Sequence, residues 1–112
     1  MITTVVSRKR WLRGGNVASK LRNAKGKMCC LGFRAKVGGA KVADILALSY
    51  PACLLDPFRF FTRAFVNKNG YDTALCIKAT EVNDDEKISD SEREKKLRAI
   101  FKKMGERIKF VP

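Results

Sequence analysis

The stretch SDSEREKKLRAIFKKMGERIKFV, residues 89–111, decides the fold. Ser89 and Glu92 stand at capping-box spacing, in which the hydroxyl accepts an amide that a helix start leaves unpaired and the glutamate reaches back. Leu97, Ile100, Phe101 and Met104 then recur at helical spacing and mark one apolar face. Glu92 precedes Lys96, and Glu94 precedes Arg98, by four residues, the favourable order for ion pairs along a helix. Lys102 and Lys103 complement the negative end of the helix dipole, and Gly105 stops the helix. From Arg107 to Val111 the period changes to two, with Ile108 and Phe110 on one face, so a strand follows.

At the other end, Ile2 to Val6 is rich in β-branched residues and predicts a second short strand. Two strands at the chain ends are expected to pair, with helices over one side. Between them the reading is mostly helical. Asn16 is expected to cap a helical stretch from Val17 to Asn23, and Lys25-Gly26-Lys27 reads as a connection. Met28 to Val37 reads as helix, with Cys30, Phe33 and Val37 on one side and Arg34 and Lys36 turned elsewhere. Gly32 weakens that helix, which suits the close approach of another backbone, and Gly38-Gly39 ends it. Lys41 to Leu48 is a shorter helix. Asp56-Pro57 opens another, on which Phe58, Phe61 and Phe65 form a stripe opposite Arg59 and Arg63; aromatics alternating with arginines suit nucleic acid, but this spacing is read as a core face. Asn67 to Gly70 is a turn, and Thr73 to Val82 is read as helix over strand. The expected architecture is α+β: one domain over residues 1–112, with about four helices packed on a small sheet formed by the N- and C-terminal strands.

Charge is distributed unevenly. The first 43 residues hold eleven Lys and Arg and no acid, whereas the remaining 69 hold thirteen basic and eleven acidic residues. Eleven units of the net charge of +13 therefore belong to the N-terminal region. Such asymmetry points to a polyanionic partner. Arg8, Lys9, Arg10 and Arg13 around Trp11 make the densest cluster, followed by Lys20, Arg22, Lys25 and Lys27. Arginine grips phosphate through two donors, and an exposed tryptophan stacks on a base; a buried one belongs to the core. These nine residues are the expected nucleic-acid contacts. The competing expectation is that the acidic run from Glu81 to Glu94 pairs internally with the same cations.

Chemistry is harder to place. There is no histidine, which excludes a Ser-His-Asp triad, a Cys-His dyad and an imidazole-zinc site. Cys29 and Cys30 are adjacent, no Cys-x-x-Cys occurs, and Cys53 and Cys76 stand apart, so all four are expected to be reduced thiols with no metal. A calcium loop starting at Asp84 has Ser89 where the sixth position needs glycine. Glu94-x-Lys96 with Asp84 and Asp85 supplies only fragments of a magnesium-nuclease pattern. No catalytic residue and no cofactor is expected. The least polar stretch, Val42 to Leu55, is too short to cross a bilayer and is interrupted by Asp44 and Pro51. Met1, Ile2, Val5 and Val6 precede the positive cluster, opposite to a secretory signal. The expectation is a non-membrane, intracellular protein.

Several segments resemble a family of small, functionally uncharacterised proteins of tailed bacteriophages. They are Trp11-Leu12-Arg13-Gly14; Lys27-Met28-Cys29-Cys30-Leu31-Gly32-Phe33; Asn83-Asp84-Asp85; Ser89-Asp90-Ser91-Glu92-Arg93-Glu94; and Leu97, Phe101, Gly105, Ile108, Phe110 and Val111. The resemblance covers about half the chain and carries over no activity, cofactor or catalytic residue. It implies a setting, the cytoplasm of an infected bacterial host. The functional expectation is a non-enzymatic accessory protein that binds nucleic acid or a host nucleoprotein complex through its N-terminal basic region. The alternative is an anti-defence inhibitor, such as an anti-CRISPR protein, docking on a host defence protein. A metal-dependent nuclease ranks below both.

Overall fold

A computed structural model describes residues 1–15 and 20–112. The two terminal strands, β1 (Thr3–Ser7) and β2 (Arg107–Val111), pair in parallel from Thr3 opposite Arg107 to Ser7 opposite Val111. Both alternate in burial, so Thr4, Val6, Ile108 and Phe110 face inward while Thr3, Val5, Arg107 and Lys109 face out. Two strands alone cannot hold together in water. Four α-helices accompany them among the described residues: α1 (Cys30–Val37), α2 (Val42–Ile45), α3 (Ala74–Asp84) and α4 (Asp90–Lys103). Helix α1 packs on β1, α4 on β2, and α3 on both helices. The expected α+β architecture is the one observed.

The C-terminal third follows its sequence closely. Ser89 Oγ accepts the Glu92 amide at 3.1 Å and opens α4. Leu97 and Phe101 of α4 are fully buried, and Gly105 takes φ +80° where the chain turns into β2. Thr73 caps α3 by accepting the Cys76 amide at 3.2 Å, so the 73–82 segment is indeed helical.

The middle of the chain departs from expectation, for identifiable reasons. The expected helix over 17–23 begins in residues 16–19, which lie outside those described. Its remainder is not helical: the Leu21 amide bonds the Leu48 carbonyl and Arg22 bridges to Leu46, so this backbone is committed across the fold. Helix α1 starts at Cys30 because Met28 and Cys29 donate instead to the carbonyls of Arg10 and Lys20. The 41–48 helix contracts to α2, one turn long. Asp56-Pro57 opens only a 3-10 turn, Pro57–Arg59, and Asp56 makes no side-chain cap. The chain cannot continue as helix because Val66 turns back to bridge Asp72, and Phe65 accepts the Thr73 amide. Phe61 and Phe65 enter the core as expected, joined by Phe60, while Phe58 is exposed.

Arg34, expected to turn away from the apolar side, is instead 1% exposed. It donates to both Glu106 oxygens at 2.7 and 3.0 Å and to the Phe60 carbonyl at 3.0 Å, between the rings of Phe61 and Phe65. A two-pronged pair in so dry a place is costly to break, since either partner alone is a stranded charge. It ties α1 to the turn before β2. Gly32 sits directly against the Leu21 carbonyl, and a Cβ there has no room; that is the close backbone approach its presence in a helix suggests.

Candidate polyanion interface

Backbone hydrogen bonds bring together several of the segments that carry the N-terminal cations. Leu12 donates to the Met28 carbonyl at 2.8 Å and Met28 donates to the Arg10 carbonyl at 2.9 Å, so the Arg10 and Lys27 segments run side by side. The Cys29 amide bonds the Lys20 carbonyl at 3.1 Å, which adds the 20–22 segment to the same ladder. Asn23 Oδ1 accepts the amides of Lys25 and Lys27, and Gly26 adopts φ +81°, a conformation open to glycine at little cost. Lys9, Arg10, Lys20, Lys25 and Lys27 are exposed, and Arg22 is half-buried. None of these six makes an ion pair among the described residues.

Three of the nine expected contacts are engaged inside the fold. Arg8 donates to both carboxylate oxygens of Glu94 at 2.9 and 2.8 Å. Arg13 donates to Asp90 at 3.0 Å and to the carbonyls of Arg8 and Trp11. These arginines hold the Glu94 and Asp90 carboxyls below their ordinary pKa, chiefly through the hydrogen bonds themselves. Trp11 is only 3% exposed. Its ring packs 4.8 Å from Phe110, and the Arg13 guanidinium covers it at 4.5 Å. The expected stacking role for Trp11 is therefore corrected: no ring face is open to a base.

The internal-pairing expectation is thus met in part. Arg8–Glu94 and Arg13–Asp90 meet it; Arg34 pairs outside that acidic run, with Glu106, and eight of the eleven N-terminal cations are left without a carboxylate partner among the described residues. Lys36, not among the nine expected contacts, joins Arg10 around a cleft of about 430 Å³ lined also by Val5, Met28 and Val37.

Trp11, Leu12, Cys30 and Asp84 converge elsewhere, on buried Asn83. Its Oδ1 accepts Trp11 Nε1–H at 2.8 Å and the Cys30 amide at 3.1 Å; its Nδ2 donates to the Leu12 carbonyl at 3.0 Å and to Asp84 at 2.9 Å. Arg93 threads the carbonyls of Val82, Asn83, Asp85 and Ile88. Both are structural junctions. Glu94 is clamped by Arg8 and Arg98, Glu92 lies 3.9 Å from Lys96, and among the described residues no three metal-ligating side chains cluster. Cys29 is buried and pushed up to about 12, and burial also raises Cys30 and Cys76. Thiols so held are poor nucleophiles at neutral pH.

No family model, curated protein or solved structure matches this chain. No helix among the described residues is long and apolar enough to cross a membrane.

Proposed function

We propose that this chain is a small non-enzymatic accessory protein that binds nucleic acid, or a host nucleoprotein complex, through the basic surface of its N-terminal region. On the resemblance to tailed-phage proteins, its setting is the cytoplasm of an infected bacterium. The observation that supports the reading is the exposed, unpaired set Lys9, Arg10, Lys25 and Lys27 on two segments whose backbones pair through Leu12 and Met28, cations that internal carboxylates leave uncancelled. Flexible exposed cations of this kind neutralise phosphates and release counterions, giving affinity with little sequence preference.

The test reverses Lys9, Arg10, Lys25 and Lys27 to Glu and measures oligonucleotide binding by fluorescence anisotropy. Arg8 and Arg13 are left intact, because changing them unpairs Glu94 and Asp90. Four to six phosphate contacts give a slope of log affinity against log salt of about −4 to −5 on a duplex and about −3 to −4 on a single strand, and the variant should lose most of it. Unchanged affinity in the variant ends the reading.

The second reading, an anti-defence inhibitor docking on a host protein, is favoured by one feature. Leu46, Leu48, Leu54, Leu55 and Phe60 line one part of a cleft of about 410 Å³ that also holds Asp44, Asp56 and Arg59, with Leu46 and Leu55 exposed. Co-purification with host proteins that survives nuclease treatment selects this reading over the first.

A further inference from the structure

We propose that a bound nucleic-acid strand continues past the N-terminal patch, across the outer face of the two-stranded sheet, into a second cationic cleft where Lys102, Arg107 and Lys109 grip its phosphates. The inference rests on the nucleic-acid reading above and extends its footprint to the opposite end of the sequence.

The cleft has a volume of about 510 Å³ and lies where β2 leaves α4, with Met1 and Thr3 on its far side. Four of its lining residues are cationic: Arg98, Lys102, Arg107 and Lys109. Arg98 is held in place by Glu94 at 3.5 Å and by the ring of Phe110. Lys102, Arg107 and Lys109 are exposed and make no ion pair among the described residues. The one carboxylate in the lining, Glu106, is turned inward and bound by both prongs of Arg34. Its charge is thereby compensated, and the potential in the cleft stays positive.

Strand geometry sets the spacing. Arg107 and Lys109 are two residues apart on one strand and so project from the same face about 6.6 Å apart. Consecutive phosphates of an extended strand can meet such a pair in turn. Continuity with the N-terminal patch follows from the register. Val5 stands opposite Lys109, one strand spacing of about 4.8 Å away. The same Val5 lines the cleft that holds Arg10 and Lys36. A path from Arg10 over Val5 to Lys109 and Arg107 therefore crosses no unpaired carboxylate among these lining residues.

The lining also fixes the ligand chemistry. No aromatic ring lines the second cleft, so it offers no stacking platform for a base, and its donors are charged side chains suited to phosphodiester oxygens. Recognition there is of backbone, independent of base sequence. An anionic membrane surface is the competing occupant.

The experiment compares four proteins by anisotropy of labelled oligothymidylate between about 50 and 200 mM salt. They are the wild type, K102E/R107E/K109E, the milder K102Q/R107Q/K109Q, and K9E/R10E/K25E/K27E. Circular dichroism melts establish folding, and if the charge-reversed sheet variant melts early the neutral one decides. Losing three single-strand contacts should shallow the salt slope by about 2 and weaken binding on the order of 30-fold or more at the lower salt. If the wild type binds and the sheet variants keep its slope and affinity while the N-terminal variant loses both, the second cleft is no part of the track and the function reading stands. If the wild type ignores oligonucleotides, or binds phosphatidylglycerol vesicles in their place, both readings fall.

Discussion

Replacing Asn83 by Ala removes one side chain and strands three groups at once. Trp11 Nε1–H and the Cys30 amide lose their shared acceptor, and the Leu12 carbonyl loses a donor. The Trp11 ring is 3% exposed and Cys30 is fully buried, so water cannot easily replace Asn83 at either donor. A buried donor left without a partner costs about 1–3 kcal/mol. Two such donors, with a smaller term for the half-buried Leu12 carbonyl, give about 3–5 kcal/mol, a large part of the roughly 5–15 kcal/mol that holds a domain of this size. At about 4 °C per kcal/mol, the melting midpoint should fall by about 12–20 °C. The single tryptophan lies at the junction and reports on it directly. Urea unfolding followed by Trp11 fluorescence should show the lowered midpoint, with red-shifted native emission as water reaches the indole. Asn83→Asp is the companion: the new carboxyl faces Asp84 and the Leu12 carbonyl, so its folded-state pKa rises and the deficit should shrink as pH is lowered. A loss below about 1 kcal/mol in Asn83→Ala would refute the junction, because the stranded groups would then have found other partners.

Two further predictions concern charge and thiols. Glu94 and Asp90 have depressed folded-state pKa values, so the stability they contribute is complete above their ordinary values of about 4.3 and 3.9 and is lost as pH falls through the folded ones. Urea midpoints should therefore drop steadily below about pH 4.5, and Arg8→Gln should flatten that drop; an identical pH profile in the variant counts against the Arg8–Glu94 pair. Cys53 is exposed while Cys29, Cys30 and Cys76 are buried, so a thiol reagent should titrate one cysteine in the native protein and four in denaturant. Rapid native reaction of more than one would contradict the packing around α1 and α3.

What the sequence made legible was local. The Ser89 cap, the apolar face through Leu97 and Phe101, the Gly105 stop and the alternation to Val111 each depend on residues within a few positions of one another, and each forms as its pattern predicts. Gly32 was readable for the same reason, since a glycine inside a helix calls for a neighbour close enough to need it. Patterns were misleading where long-range bonding competes. Residues 20–23, Met28 and Cys29, read as helical, lie outside any helix because the Leu21, Met28 and Cys29 amides donate to the carbonyls of Leu48, Arg10 and Lys20. Arg34 looked like a solvent residue because its partner, Glu106, lies 72 positions away. The candidate site divided along the same line. Arg8 and Arg13 are indistinguishable from Lys9 and Arg10 in a charge count, and only the fold brings Glu94 and Asp90 within reach of the first two. The second cleft was visible only as a by-product of strand alternation, which turns Arg107 and Lys109 outward when Ile108 and Phe110 turn in.

A functional consequence follows from which polar groups are already engaged. Segments far apart in sequence meet at Asn83 and Arg93, where donors and acceptors are directed mostly at the molecule's own backbone. Asn83 uses both amide hydrogens and accepts two bonds, and Arg93 donates to four carbonyls and to Asp90. A partner has nothing to draw on there. Lys9, Arg10, Lys25, Lys27, Lys102, Arg107 and Lys109 stand in the opposite condition, exposed and without an ion pair among the described residues. Substitutions should accordingly separate into two groups with little overlap. If the proposed binding holds, changes at the junction should lower the melting temperature and affect it only through unfolding, whereas changes among the surface cations should alter binding and its salt dependence while the melting curve stays in place.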